Sequence, residues 1–322
     1  MDNQNDMVTG DTNEIEQDIF ADSTEELENN SVEDETGSNE YKLPSGDALN
    51  EKELYLLTAK KDTRIIYVLG PVGSGKTTFE TMLYECFLNN LNDDLVFAGS
   101  ETLLGFEERL NYLRVISGNS DAKMERTYMK EERCFLHLNL LKKQKEENCS
   151  IVFTDISGEI FDRCSANKAN LEEDLKNLDL AQNIVLFMDG FALLDKSRRH
   201  EVVSKIRSFL LTLKSSKLYR EYCNIDIVIS KNDIIYERTN EEILFIENIY
   251  KKFEDLEKNF NISFFRIEAL NGFKIKDSAK SISLIELLKY WLDDSIKEAR
   301  KIGNKKEKRT MRNEFNRFGE IY

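Results

Sequence analysis

Short apolar runs alternate with longer stretches of helical spacing along most of the chain, and that alternation predicts the fold class. Residues 50–60 are spaced as a short helix. Arg64-Ile65-Ile66-Tyr67-Val68-Leu69 is an apolar run closed by a glycine, the pattern of a buried strand. Residues 77–89 are helical, 95–98 a short strand, 102–116 helical, and 134–141 alternate as a strand does. Further strands are predicted at 150–156, 183–188, 225–230 and 262–267, and further helices at 202–213 and 240–257. A closing helix is predicted at 281–299, where Leu284, Leu287, Leu288, Trp291 and Leu292 form one stripe. Strands interleaved with helices predict an α/β fold of three layers, a mostly parallel sheet with helices on both faces. No internal repeat is visible.

Charge changes this picture at the two ends. The chain has 322 residues and a net charge of −15. Fourteen acids and no Lys or Arg fall within residues 1–41, so the remainder carries only −1. The pI of 4.9 therefore describes a tail. Residues 1–48 hold too little apolar surface to offset the entropy of ordering, and they read as an acidic disordered tail. Residues 49–300 form the predicted domain, long enough for one large core. Residues 301–322 are basic (Lys301, Lys305, Lys306, Lys308, Arg309, Arg312, Arg317) and read as a solvated C-terminal tail. A near-neutral body makes nucleic acid an improbable partner.

Other classes fall on simple counts. The longest apolar runs, such as 184–188, are far short of the ~20 residues that span a bilayer. Asp2 and Asp6 stand where a secretory signal would be positive. Five scattered cysteines without a Cys-x-x-Cys, and only two histidines, argue against a disulfide framework and a Cys- or His-based metal site. The expected location is the cytoplasm.

Three motifs carry the chemistry. Gly70-Pro71-Val72-Gly73-Ser74-Gly75-Lys76-Thr77 fits G-x-x-x-x-G-K-[ST], follows a predicted strand and opens a predicted helix. Gly70, Gly73 and Gly75 let the backbone curl until successive N–H groups face phosphate oxygens. The helix adds its positive end. Ser74 belongs to the same cradle, Lys76 supplies a cation between the β- and γ-phosphates, Thr77 a hydroxyl for Mg²⁺, and Thr78 reaches toward the α-phosphate. The second motif is Asp155-Ile156-Ser157-Gly158-Glu159. A carboxylate at the carboxyl end of a buried parallel strand falls beside the phosphate loop, where Asp155 can hold Mg²⁺ directly or through water. Gly158 lets a backbone N–H approach a γ-phosphate, making the loop after it sensitive to that group. The third is Ser230-Lys231-Asn232-Asp233, close to the [NT]KxD guanine signature. One carboxylate, Asp233, accepts from both N1–H and N2–H₂ of guanine, whereas adenine would leave it unpaired. Lys231 can lay its stem over the base.

GPVGSGKTT, TDISGE and SKND, in this order on successive strands, resemble the translation-factor-type class of P-loop GTPases. The stretch from Phe97 to Arg109, taken with Asp155–Glu159, is similar to the bacterial double-GTPase family, which is associated with conflict or defence systems. The resemblance spans roughly residues 62–295. It implies a G domain that binds GTP or GDP with Mg²⁺, hydrolyses GTP, switches loops on hydrolysis and signals to an unidentified protein partner. By the same resemblance, the threonine closing over Mg²⁺ from the first switch should precede the strand at 134–141, with Thr127 the candidate, and the last base-side motif falls at Glu268-Ala269-Leu270, where only Ala269 matches. Two departures stand out. Glu159 occupies the place of a water-orienting Gln, and Ser230 that of Asn or Thr, a modest loss of loop bracing.

Lys76, Asp155, Gly158 and Glu159 are thus the catalytic candidates. Two other readings use the same residues: an ATPase of the same fold, and a low-turnover nucleotide-dependent binding module, motivated by Glu159. His137 is expected on the sheet surface. Arg198-Arg199-His200 is expected to be a solvated helix face.

Overall fold

In the computed structural model, which describes residues 44–89, 94–118, 134–220, 223–235, 240–269 and 282–293, seven strands build one sheet. They are β1 Thr63–Leu69, β2 Leu95–Gly99, β3 Cys134–Lys142, β4 Glu147–Asp155, β5 Asn183–Asp189, β6 Asn224–Ser230 and β7 Asn261–Arg266. The helices are α1 Glu51–Lys60, α2 Lys76–Leu88, α3 Leu103–Gly118, α4 Gly158–Ala166, α5 Lys168–Asp174, α6 Gly190–Leu194, α7 Arg199–Ser216, α8 Asn232–Ile235, α9 Asn240–Glu247 and α10 Leu284–Leu292. The sheet order is β2-β3-β4-β1-β5-β6-β7. From β4 through β7 all neighbours are parallel, while β3 pairs antiparallel with both β2 and β4.

The two-residue period of the strands sorts the core into two layers. Ile65, Tyr67 and Leu69 of β1 pack with Ile184, Leu186 and Met188 of β5 and Ile225, Ile227 and Ile229 of β6. That layer is covered by α1, α4 to α7 and α9, through residues such as Leu54, Phe161, Leu171, Phe209 and Ile246. Ile66 and Val68 point the other way, with Val185, Phe187 and Val228, under α2, α3 and α10. Trp291 of α10 packs edge-on to Phe79 of α2 at 5.7 Å and donates its indole N–H to buried Asp226 at 2.9 Å. Asn183 Nδ2 donates to the same carboxylate oxygen at 2.9 Å, so α10 is tied to the centre of the sheet.

Two predicted helices are shorter than their spacing implied. The segment at 240–257 is helical only to Glu247 and continues as a 3₁₀ turn, Ile249–Lys252. The helix stops at Asn248, whose backbone N–H and side-chain amide both donate to the Leu244 carbonyl, at 3.1 and 2.8 Å. The closing helix starts at Leu284, because Ser283 and Glu286 form a reciprocal cap there. It ends within the described residues at Leu292, where Asp293 turns extended (ψ 110°).

His137 is not a surface residue: it is 1% exposed. It lies on β3 on the face opposite Leu136 and Leu138, and partners from distant segments enclose it. The Glu101 N–H donates to Nδ1 at 3.0 Å, and Nε2 lies 3.1 Å from Ser150 Oγ. With Nδ1 accepting, the neutral ring carries its proton on Nε2 and donates to the serine. Burial, with a smaller push from Lys61, holds the imidazole down to about 4. Its folded value is below its unfolded one, so the stability it confers is complete above about pH 6.5 and is lost as the pH falls toward 4. The expected loss is about 3 kcal/mol. Urea unfolding of wild type and His137→Gln at pH 7 and pH 4.5 checks this. Equal pH dependence in the two proteins would refute it.

Candidate functional site

The three motifs end three parallel strands at one edge of the sheet, as the carboxyl ends of β1, β4 and β6. After β1 the backbone turns through left-handed conformations at Gly73 (φ 76°) and Gly75 (φ 91°), which a side chain would strain. Gly70 is needed for space: a Cβ there would lie 2.8 Å from the Phe187 carbonyl oxygen of β5. α2 then begins at Lys76 with no side-chain cap, leaving its first N–H groups directed at the loop.

Lys76 is 8% exposed, and its Nζ donates to the loop carbonyls of Gly70 at 2.8 Å and Pro71 at 3.2 Å. Burial lowers its ammonium to about 8, against the opposing pull of Glu80, Asp155 and Asp162. A buried cation in a ring of loop amides suits a phosphate. Ser74 adds a buried hydroxyl with no hydrogen-bond partner among the described residues. A cavity of about 380 Å³ opens here, lined by Val72–Thr78 of the loop, by Asp155–Glu159 and by Lys231. Thr77, Thr78, Asp155, Gly158 and Glu159 therefore share one space. The Thr77 hydroxyl and the Asp155 carboxylate are hard oxygen donors of the kind Mg²⁺ takes.

The segment after Asp155 differs from the expected loop, because α4 starts at once. Ser157 caps it by accepting the Ile160 N–H at 3.3 Å. Gly158 is the first helical residue, and a Cβ on it would lie 2.3 Å from the Val72 nitrogen. Glycine is required for α4 to press its N-terminus against the phosphate loop. Glu159 is exposed on the cavity side.

The loop after β6 is fastened to the phosphate loop. Ser230 Oγ donates to the Ser74 carbonyl at 2.8 Å. The short Ser230 hydroxyl thus reaches the phosphate loop although β5 lies between β6 and β1, and it also lies 3.3 Å from the Met188 carbonyl of β5. Lys231 adopts φ 54° and donates from Nζ to the Gly73 carbonyl at 3.0 Å, while pairing with Asp189 of β5 at 3.0 Å. Asp233 stands in the first turn of α8, two residues on. The Asn232 N–H donates to the Ile267 carbonyl at 3.1 Å and its side chain to Glu268 at 3.3 Å, bringing the Glu268-Ala269 segment alongside. Ala269 is buried. Thr127 lies outside the described residues.

Two residues given no role by sequence reasoning sit at the cavity's back. Arg109 of α3 grips Asp155 through Nε at 2.9 Å and also through Nη2. Glu80 of α2, one turn from Lys76, is 1% exposed. An acid at i+4 from the loop lysine, amid Phe79, Met82 and Leu83, was the available signal.

A mostly parallel sheet carrying a phosphate loop after its central strand, an Asp-x-x-Gly after the next and, after β6, a Ser-Lys-Asn-Asp loop fastened to the phosphate loop is the P-loop G-domain fold. The chain belongs to the Double-GTPase 2 family, whose model matches residues 64–292, more than half its length. Among curated proteins none matches it. Solved structures similar to it include translation elongation factor SelB from Methanococcus maripaludis in complex with the GTP analogue GppNHp, at 18% identity and a TM-score of 0.35, covering 71% of this chain and 33% of that one. The chain thus spans a third of the SelB chain's length. The signal recognition particle receptor SRb-GTP/SRX complex from Chaetomium thermophilum is similar at 15% identity and a TM-score of 0.38, covering 73% and 97%. The GTP-bound Ski7 GTPase-like domain of S. cerevisiae is similar at 12% identity and a TM-score of 0.42, covering 70% and 48%. Family and fold make the chain a G domain of the double-GTPase type. Among the described residues no helix is long and apolar enough to cross a membrane.

Proposed function

We propose that the chain binds GTP with Mg²⁺, hydrolyses it slowly to GDP and phosphate, and acts as a nucleotide-dependent switch. The observation that supports this reading is the fastening of Ser230 and Lys231 to Ser74 and Gly73, which brings the loop that carries Asp233 against the phosphate loop, although Asp233 itself does not line the cavity. Lys76 and the loop amides stabilise charge developing on the γ-phosphate as water attacks in line. Thr77 and Asp155 would hold Mg²⁺, with Thr127 as the proposed third ligand, and the metal would supply positive charge against the phosphates. Gly158 presents its N–H toward the γ-phosphate, and Glu159 acts on the water as a base when so held. Asp233 reads guanine, with Lys231 and Ala269 beside it.

Family membership supports a wider reading, a switch in a bacterial conflict or defence system that relays its state to a protein partner in the cytoplasm. The acidic residues 1–48 and basic residues 301–322 are proposed as tails flanking one domain at 49–300, and nucleic acid is not proposed as a partner.

Competition of unlabelled GTP and ATP against a fluorescent GDP is expected to favour GTP by about a hundredfold or more. Parity would transfer the reading to an ATPase of the same fold. Phosphate release in a single turnover with excess protein separates enzyme from binder: bound GTP that survives for hours would identify a low-turnover module.

A further inference from the structure

Asp155 faces two claimants. Its side chain is only 4% exposed and takes two donors of the Arg109 guanidinium. Arg109 Nη1 is anchored in turn on the Gly105 carbonyl at 2.8 Å, within its own helix. A carboxylate so held is poorly placed to serve a divalent cation as well. Two cations at one carboxylate repel each other, the more so when one of them is divalent.

Glu80 is the unexplained neighbour. Among the described residues neither of its oxygens has a hydrogen-bond partner, although the side chain is buried. Such a group is costly and calls for a reason. Its helix face is set against α3: one turn on, Tyr84 stacks on Phe106 at 4.7 Å and donates to Glu107 at 3.0 Å. Burial pushes the Glu80 carboxyl well above its usual range, Asp155 adds to the push, and Arg109 and Lys76 oppose it.

We propose that Arg109 is a positioning residue with two alternative acceptors: it holds Asp155 in the absence of a divalent cation and turns to Glu80 when Asp155 engages one. This rests on the reading of the cavity as a Mg²⁺–nucleotide site. In this arrangement α3 senses whether the site is loaded, because its arginine changes partner. A guanidinium suits the exchange, since its planar fork, which here directs Nε and Nη2 at the one oxygen Oδ2 of Asp155, carries two donors to whichever carboxylate it faces.

The test is binding of fluorescent GDP as a function of Mg²⁺ concentration, in wild type, Arg109→Gln, Glu80→Gln and the double variant. Removing Arg109 frees Asp155, so the Mg²⁺ midpoint is expected to fall about tenfold. Replacing the Glu80 carboxyl by an amide takes away the alternative carboxylate and leaves Arg109 with Asp155, so the midpoint is expected to rise about tenfold. The double variant should follow Arg109→Gln, and GDP affinity in excess chelator should stay unchanged in all. Midpoints that do not move, or that move in the same direction in both single variants, overturn the proposal; the latter is what general loosening of α2 against α3 would give. If Arg109→Gln fails to fold by circular dichroism, Arg109→Lys, which keeps the charge but not the fork, is expected to lower the midpoint as well. A wild-type chain that binds no GDP at any Mg²⁺ concentration would overturn the nucleotide reading itself, whereas wild-type binding with unmoved variants sinks only the exchange.

Discussion

Lys76→Ala is expected to lower affinity for both GTP and GDP by about a hundredfold or more, measured by calorimetry or fluorescent-nucleotide titration. The size follows from how the ammonium is held. It is buried and already aimed across the loop by the Gly70 and Pro71 carbonyls, so little side-chain entropy remains to be lost on binding. Hydrogen bonds from a charged donor contribute about 1.5–3 kcal/mol each. Two such bonds to phosphate oxygens amount to about 3 kcal/mol at the low end, and each 1.36 kcal/mol is a factor of about ten. The substitution also removes the internal link across the loop, which adds to the loss. Unchanged affinity would mean that the cavity at Val72–Thr78 is not where the nucleotide's phosphates lie.

Asp233→Asn is expected to shift base preference from GTP toward xanthosine triphosphate, with a change of about a thousandfold in the ratio of the two affinities. Guanine presents two donors to the carboxylate. An amide offers one acceptor and one donor, which mismatches guanine's amino group and matches the carbonyl that xanthine carries in its place. The residue is well situated to discriminate, because its loop is immobilised on several sides. Ser230 and Lys231 hold it to the phosphate loop, and Asn232 holds it to the segment after β7. Titration of both triphosphates into both proteins checks the prediction. A uniform loss for GTP and xanthosine triphosphate alike would show that Asp233 supports the loop and does not read the ring.

The parts of the site legible in the sequence are those fixed by local backbone demands. Gly73 and Gly75 are required where φ is positive, Gly158 where α4 meets Val72, and strand ends place Asp155 and Ser230 on one edge whatever the helices do. The sheet was legible for a similar reason: Ile65 to Leu69 alternate between two buried layers and leave little choice of element. What escaped depends on pairs far apart in the chain. Arg109 and Asp155 are 46 residues apart, and the pairing depends on how α3 lies over the sheet. The enclosure of His137 needs Glu101, Thr102 and Ser150, none of which its own strand pattern reveals. The short helices α4, α5 and α6 have too few turns to display a period, so their start signals, Ser157, Asn167 and Asp189, were the available signs. The stop of α9 at Asn248, where backbone and side-chain amides share the Leu244 carbonyl, is a local arrangement that spacing cannot show.

The chain's only tryptophan gives this architecture a built-in optical probe. Its ring lies against Phe79, three residues beyond Lys76, and against Phe153, two before Asp155. Light emitted by one indole thus samples the two arms that would close on a triphosphate, and a shift of either arm alters the ring's surroundings without any dye attached.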